Sequence, residues 1–256
     1  MARTLHPFLN HPSPTAFAHR GGSLEAEENT MPAFEHAVRL GYSHVEIDVH
    51  LTADGAVAIH HDATLQRMFG VDRAVADMTV ADLAGIRTQG GATVPLLADL
   101  LHSFPRLCVN IEAKSDAVVG PLAEVIRRAD ALDRVCIGSF APARTAAARA
   151  ALAGATAAIA GHGLPVVVRL WACGWGLPLP CDFPVVQVPV AWRGIPVVTA
   201  RVVRAAHARG ILVQVWTVDD EAEMTRLLDM GVDALMTDRP TLLKAVLQRR
   251  GQWPGG

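Results

Sequence analysis

The 256-residue sequence predicts an α/β fold, a single (β/α)8 TIM barrel, and three observations carry that prediction. The length is close to the roughly 250 residues over which an eight-fold β/α barrel usually closes. Short apolar runs ending in polar residues alternate with Ala-rich amphipathic stretches, the pattern of consecutive parallel βα units. Two of those runs carry polar or acidic residues at every second position among Val and Ile, so their acids share one face of a strand whose other face is apolar.

In chain order, strand-like runs fall at residues 15–18, 44–49, 107–111, 134–137, 185–188, 211–215 and 234–236. A barrel needs one more, and it belongs between residues 157 and 170, where 157–160 and 166–168 both qualify and periodicity alone does not choose. Helices are expected at 31–40, 120–131, 142–153, 200–209 and 221–230. Gly41, Gly154, Gly210 and Gly231 follow four of them, where a helix ending favours a left-handed residue. Residues 63–101 separate the second strand from the third by more than a normal loop and are expected to form an excursion on the catalytic face. Residues 171–184, rich in Pro, Gly and Trp, are expected to be an irregular loop, and 252–256 a frayed tail. One domain is expected over residues 1–256, with its core at about 16–243.

Composition narrows the function classes. Lys+Arg 23 against Asp+Glu 25 leave a net charge of −2, which offers no basic field for nucleic acid. The four cysteines, Cys108, Cys136, Cys173 and Cys181, show no Cys-x-x-Cys spacing, and a chain of this length folds on its core without a disulfide framework. They read as buried thiols in a reducing compartment. Residues 1–14 hold no apolar stretch of the signal-peptide kind, so a cytoplasmic location is expected. The uncharged run from Ala150 to Val168 is long enough to span a bilayer. Gly154, Gly161, His162, Gly163 and Pro165 interrupt it, and Pro165 is expected to end any helix near its middle, so no stable membrane insertion is expected.

The chemistry concentrates in a few strings. In Val45-Glu46-Ile47-Asp48-Val49, Glu46 and Asp48 share the face that would point into the barrel, and in Asn110-Ile111-Glu112-Ala113-Lys114 the residues Asn110, Glu112 and Lys114 do the same. Three converging carboxylates with a lysine beside them are costly to bury unless they hold a cation. An oxygen-only donor set favours Mg²⁺, Ca²⁺ or Mn²⁺ over zinc. His19 and Arg20 stand at the carboxyl end of the first run, where barrel enzymes place active-site residues, and His61-Asp62 follows another short apolar run. Two histidines, one on each side of a phosphorus, would supply the base and the acid of an in-line displacement, and Arg20 and Lys114 would neutralise phosphate oxygens. The remaining histidines, His11 and His44 among them, read as bystanders, and Glu25-x-Glu27 as a solvated loop.

Together these strings resemble a known family. His19-Arg20-Gly21-Gly22, Glu28-Asn29-Thr30, Ala33-Phe34, Glu46-x-Asp48-Val49-x-Leu51-Thr52-x-Asp54-Gly55 and His61-Asp62 are similar, in order and spacing, to the amino-terminal signature of glycerophosphodiester phosphodiesterases. Asn110 to Lys114 resembles that family's third-strand acid and lysine; Val215 to Val218, Gly231 to Ala234 and Thr237 to Pro240 resemble its closing strands. The resemblance implies metal-dependent hydrolysis of small-molecule glycerophosphodiesters to glycerol 3-phosphate and an alcohol. It implies one divalent metal ion held by Glu46, Asp48 and Glu112, an acid–base pair of His19 and His61, substrate binding by Arg20 and Lys114, and Trp216 against the glycerol or head group. Which histidine is base, which metal binds, and whether water or the substrate's own hydroxyl attacks all stay open. Glu27 where the family usually has Pro, and Arg67-Met68-Phe69 where it usually has Arg-Thr-Thr, bear on the substrate mouth. Lysophospholipase D-like or sphingomyelinase D-like lipid substrates, and a catalytically silent phosphate- or metal-binding barrel, are the competing readings.

Overall fold

Strands form where alternating residues allow both faces to be buried. In a computed structural model, which describes residues 5–12, 14–152, 158–177 and 183–253, these are β1 (Thr15–His19), β2 (His44–Leu51), β3 (Cys108–Ala113), β4 (Val135–Gly138), β5 (Ala158–Gly161), β6 (Val185–Pro189), β7 (Leu212–Trp216) and β8 (Ala234–Thr237). Each pairs its neighbours in parallel, and β1 pairs both β2 and β8, so the sheet closes on itself. The expected barrel is therefore the fold. Of the two candidates for the fifth strand, the first is correct from Ala158 onward. Ala157, Gly154 and Cys181 lie outside the described residues.

Each strand is followed by a helix: α1 (Met31–Leu40), α2 (Leu97–Ser103), α3 (Val119–Arg128), α4 (Pro142–Ala151), α5 (Gly163–Gly174), α6 (Ala200–His207), α7 (Glu221–Asp229) and α8 (Pro240–Arg249). Three expectations are corrected here. Pro165 does not end a helix; it stands in the first turn of α5, where its missing N–H has no intrahelical acceptor to lose. Residues 166–168 are therefore helical, and so are Trp171 to Gly174 at the start of the stretch expected to be loop. The excursion is shorter than residues 63–101, because Leu97–Ser103 is the second barrel helix. What remains, after a strand Val57–Ile59 antiparallel to β2, is a short ribbon of Thr64–Leu65 with Val71–Ala74 and small helices over a satellite core of Leu65, Val75, Met78 and Leu83.

The core lies in two places. Outward residues such as Val45, Ile47, Val109, Ile111, Val213 and Val215 pack under the helices. Inward ones change character along the barrel axis. Phe17, Cys136, Ala158 and Val185 fill the floor, where Phe8 of the turn Pro7–Leu9 plugs the end. Above them the amides of Asn110, Gln187 and Gln214 satisfy one another: Gln187 Nε2 donates to Asn110 Oδ1 and to Gln214 Oε1, both at 2.8 Å. The next inward positions are the carboxylates.

Candidate active site

The mouth is built by register. In β1, β2 and β3 the pairing sets His19 beside Glu46 and Asp48 beside Glu112, and parallel neighbours stand about 4.8 Å apart. Carboxylate oxygens of Glu46, Asp48 and Glu112 accordingly lie within 4.8 Å of one another, and Glu46 and Asp48 are buried. The turn after β1 is tight: Arg20, Gly21 and Gly22 all have positive φ, and a Cβ on Gly21 would lie 2.6 Å from that of Ala33. Only glycine fits there, and the turn aims Arg20 back across the mouth.

Two side-chain cations answer three acids. Lys114 Nζ stands 2.8 Å from Asp48 and 3.0 Å from Glu112, and Arg20 Nε 3.1 Å from Asp48. Asn29, buried and left-handed, donates from Nδ2 to Asp48 Oδ2 at 3.0 Å. Burial opposes ionisation of Asp48, but Lys114 and Arg20 outweigh it and hold the carboxyl below its ordinary range. Glu46 is different: burial and then Asp48 raise it well above the usual carboxylate range, and its Oε2 has no hydrogen-bond partner among the described residues. A buried carboxylate oxygen that accepts no hydrogen bond, beside two other acids, fits a site for a hard divalent cation.

Each histidine is held by an acid. His19 Nδ1 is 2.7 Å from Asp238 Oδ1, and its Nε2 is 3.6 Å from Glu46 Oε2. Burial works against a charged ring, yet Glu46 and Asp238 together raise His19 above its ordinary pKa. His61, carried on the excursion, has Nδ1 2.6 Å from Asp62 Oδ1. Arg67 donates to Asp62 Oδ2 at 2.7 Å and to Glu28 Oε1 at 2.6 Å, and Glu28 also accepts from Arg20. Burial opposes it, but Arg67 and His61 bring Asp62 down to about 2.

All eight expected residues are brought to this end of the barrel. Seven, His19, Arg20, Glu46, His61, Glu112, Lys114 and Trp216, line a cavity of about 170 Å³; Asp48 pairs in register with Glu112. The sequence reading missed Asp238, which orients His19 from 219 positions away, and His162. The latter lies against Gly138, where a Cβ would come 2.1 Å from its Cε1. It also missed Phe140, which packs edge-on against Trp216 at 5.5 Å. Glu25 is exposed and Glu27 half-buried, yet both are anchored: Glu27 accepts from Thr88 and Gly90, and Glu25 from Thr241, tying the mouth loop to the excursion and to α8.

Fold and mouth define a barrel enzyme whose carboxyl-end loops gather acid–base and cationic groups over a buried acidic trio. The match to known proteins makes the class specific. Residues 19–161 and 175–242 match the glycerophosphoryl diester phosphodiesterase family. The protein of Mycobacterium tuberculosis named "Probable glycerophosphodiester phosphodiesterase 2" is 38% identical, over 97% of this chain and 96% of that one. A lysophospholipase D of Mus musculus is 28% identical over 90% and 85%. A phosphodiesterase structure from Oleispira antarctica, in complex with the product sn-glycerol-3-phosphate, covers 92% of this chain and 97% of its own with a TM-score of 0.78 at 23% identity. The chain belongs to the glycerophosphoryl diester phosphodiesterase family and is an enzyme of the phosphoric diester hydrolase class.

Proposed function

We propose that this single-domain protein hydrolyses small glycerophosphodiesters to glycerol 3-phosphate and an alcohol in the cytoplasm, using His19 and His61 as its acid–base pair. The observation that carries the reading is the pairing of each histidine with its own carboxylate, at 2.7 and 2.6 Å, on one cavity with the acidic trio. In each ring Nδ1 meets its carboxylate, so Nε2, which in His19 stands 3.6 Å from Glu46 Oε2, is the nitrogen left to take or give a proton at the substrate. Arg20 and Lys114 are cations placed to meet phosphate oxygens. Trp216, whose indole Nε1 has no partner among the described residues, forms with Phe140 an aromatic wall for the glycerol or head group. A divalent cation on Glu46, Asp48 and Glu112, when bound, would polarise a non-bridging phosphate oxygen; Mg²⁺, Ca²⁺ and Mn²⁺ all suit three carboxylates.

A second reading, a lysophospholipase D-like activity, is favoured by one feature. Exposed apolar side chains follow three successive barrel strands at the mouth: Phe140 after β4, Leu164 after β5, and Trp192 with Ile195 after β6, each 40% exposed or more. No helix among the described residues is long and apolar enough to cross a membrane. The test is release of glycerol 3-phosphate from glycerophosphocholine, with EDTA and then with each cation restored, set beside release of lysophosphatidate from lysophosphatidylcholine. Metal-restored release from the first substrate supports the main reading. Preference for the second transfers it to lipids, and no release from either by folded protein would refute both.

A further inference from the structure

At the opposite end of the barrel, three residues set aside as bystanders or core come together. His44 and Cys108 are the first residues of β2 and β3 and face each other in register, and His11 reaches them from the amino-terminal segment that crosses the floor. One ring nitrogen from each histidine and Cys108 Sγ lie within 4.8 Å of one another. We propose that His11, His44 and Cys108 form a second metal site, for a borderline-soft cation of the Zn²⁺ class, which pins the amino-terminal segment to the barrel floor.

The geometry is that of a coordination edge. His11 Nε2 lies 3.6 Å from Cys108 Sγ. Nitrogen at about 2.05 Å and thiolate at about 2.3 Å from a tetrahedral zinc stand about 3.6 Å apart. The two imidazole rings meet edge to face, 4.4 Å apart at 89°. His44 is fully buried, and its Nδ1 is 2.9 Å from Ser43 Oγ, the kind of outer partner that holds a ligand ring in one orientation; Phe8 O is 3.5 Å from its Nε2, at the limit of a hydrogen bond. The donor set differs from that at the mouth: one sulfur and two nitrogens select Zn²⁺, Co²⁺ or Cu⁺ over Mg²⁺ and Ca²⁺. A cavity of about 250 Å³ lined by His11, Tyr42, Ser43 and Trp253 opens on the His11 side of the cluster. Glu46, the mouth acid nearest along β2, lies two residues up the strand, about 6.6 Å away at strand rise, and the two donor sets share no residue.

Two imidazoles would bind through their ring lone pairs and Cys108 as its thiolate, so the thiol is the ligand that gives up a proton. Binding then forms the metal–sulfur bond and releases that one proton to solvent, with no change of oxidation state.

The test uses the full chain, reduced and stripped with EDTA, titrated with Co²⁺ without oxygen. One equivalent per chain is expected to give thiolate-to-cobalt absorption in the near ultraviolet, a signal the carboxylates at the mouth cannot produce. The band should persist in Glu46→Gln, disappear in His11→Ala and Cys108→Ala, and be displaced by Zn²⁺. Saturating Zn²⁺ should raise the melting temperature of Glu46→Gln by roughly 5 °C and leave the Glu46→Gln/His11→Ala double variant unmoved. His11 is half-buried on the surface segment, so His11→Ala is expected to fold and to keep phosphodiesterase activity. Absence of the band in the unaltered protein, or its survival in Cys108→Ala, overturns the proposal.

Discussion

Removing the carboxylate of Asp238 is expected to reduce turnover by about 10- to 150-fold while changing KM little. The bond between Asp238 Oδ1 and His19 Nδ1 is short, 2.7 Å, and the two side chains are only 18% and 14% exposed, so solvent screens it weakly. A charge-assisted hydrogen bond of that kind is worth about 1.5–3 kcal/mol. At 1.36 kcal/mol per decade of rate, its loss spans roughly one to two decades. KM is spared because Asp238 does not line the cavity. The pH profile supplies an independent sign. Burial lowers the His19 pKa, and Glu46 and Asp238 raise it above its ordinary value; without Asp238 the folded value falls. The limb of kcat set by His19 therefore moves to lower pH in Asp238→Ala, whichever of the two proton-transfer roles His19 plays. The assay is steady-state release of glycerol 3-phosphate from glycerophosphocholine at saturating substrate and cation, from about pH 5 to 9. The backbone N–H of Asp238 donates to Asp219 Oδ1 and survives the substitution, so the loop keeps its place. Unchanged kcat with the limb unmoved would refute the assignment of Asp238 as the positioning residue for His19.

Other expectations follow from single contacts. Glu112→Gln should weaken the divalent cation at the mouth and recover activity when the cation is raised, whereas His61→Ala should not recover; recovery of both would contradict the division of roles. Gly21→Ala, at φ +85° with Ala33 Cβ 2.6 Å away, should lower stability by about 2–4 kcal/mol in urea denaturation, and an unchanged midpoint would show that α1 gives way freely. Burial brings His162 down to about 4, so below the unfolded value of about 6.5 the unfolded chain takes up a proton that the folded chain refuses, and stability present above that pH is lost as pH falls. Between pH 7.5 and 5.5 the protein should accordingly lose about 1.3 kcal/mol more than His162→Gln does, and equal losses would place the titration elsewhere. Phe140→Ala should cut kcat/KM for lysophosphatidylcholine about five-fold, from roughly 1 kcal/mol of lost apolar contact, and an unchanged kcat/KM would show that this side chain does not touch the substrate.

What could be read in advance was what repeats locally. Glu46 and Asp48 announce their face because Val45, Ile47 and Val49 alternate with them, and β2 carries that alternation from end to end. The fifth strand has no such contrast: Ala158 to Gly161 and Val166 to Val168 are both uniformly apolar and equally compatible with either element, and only the position of Pro165 in a first turn separates them. Closure hides more. Asp238 stands in a visible terminal motif, yet nothing within ten residues of it points to His19; the two meet because β8 and β1 are neighbours only once the sheet has curled round to its own start. His11, His44 and Cys108 are hidden in the same way, since the pairing of β2 with β3 and the return of the amino-terminal segment across the floor exist only in the closed barrel. The glycine at 138 shows what a local signal of such contacts looks like. At the carboxyl end of a barrel strand, a residue with no Cβ marks a place where another side chain must come close, and here that side chain is His162. A small residue at the catalytic end of a strand is thus a pointer toward an unseen partner, and it is as legible as an acid in the same position.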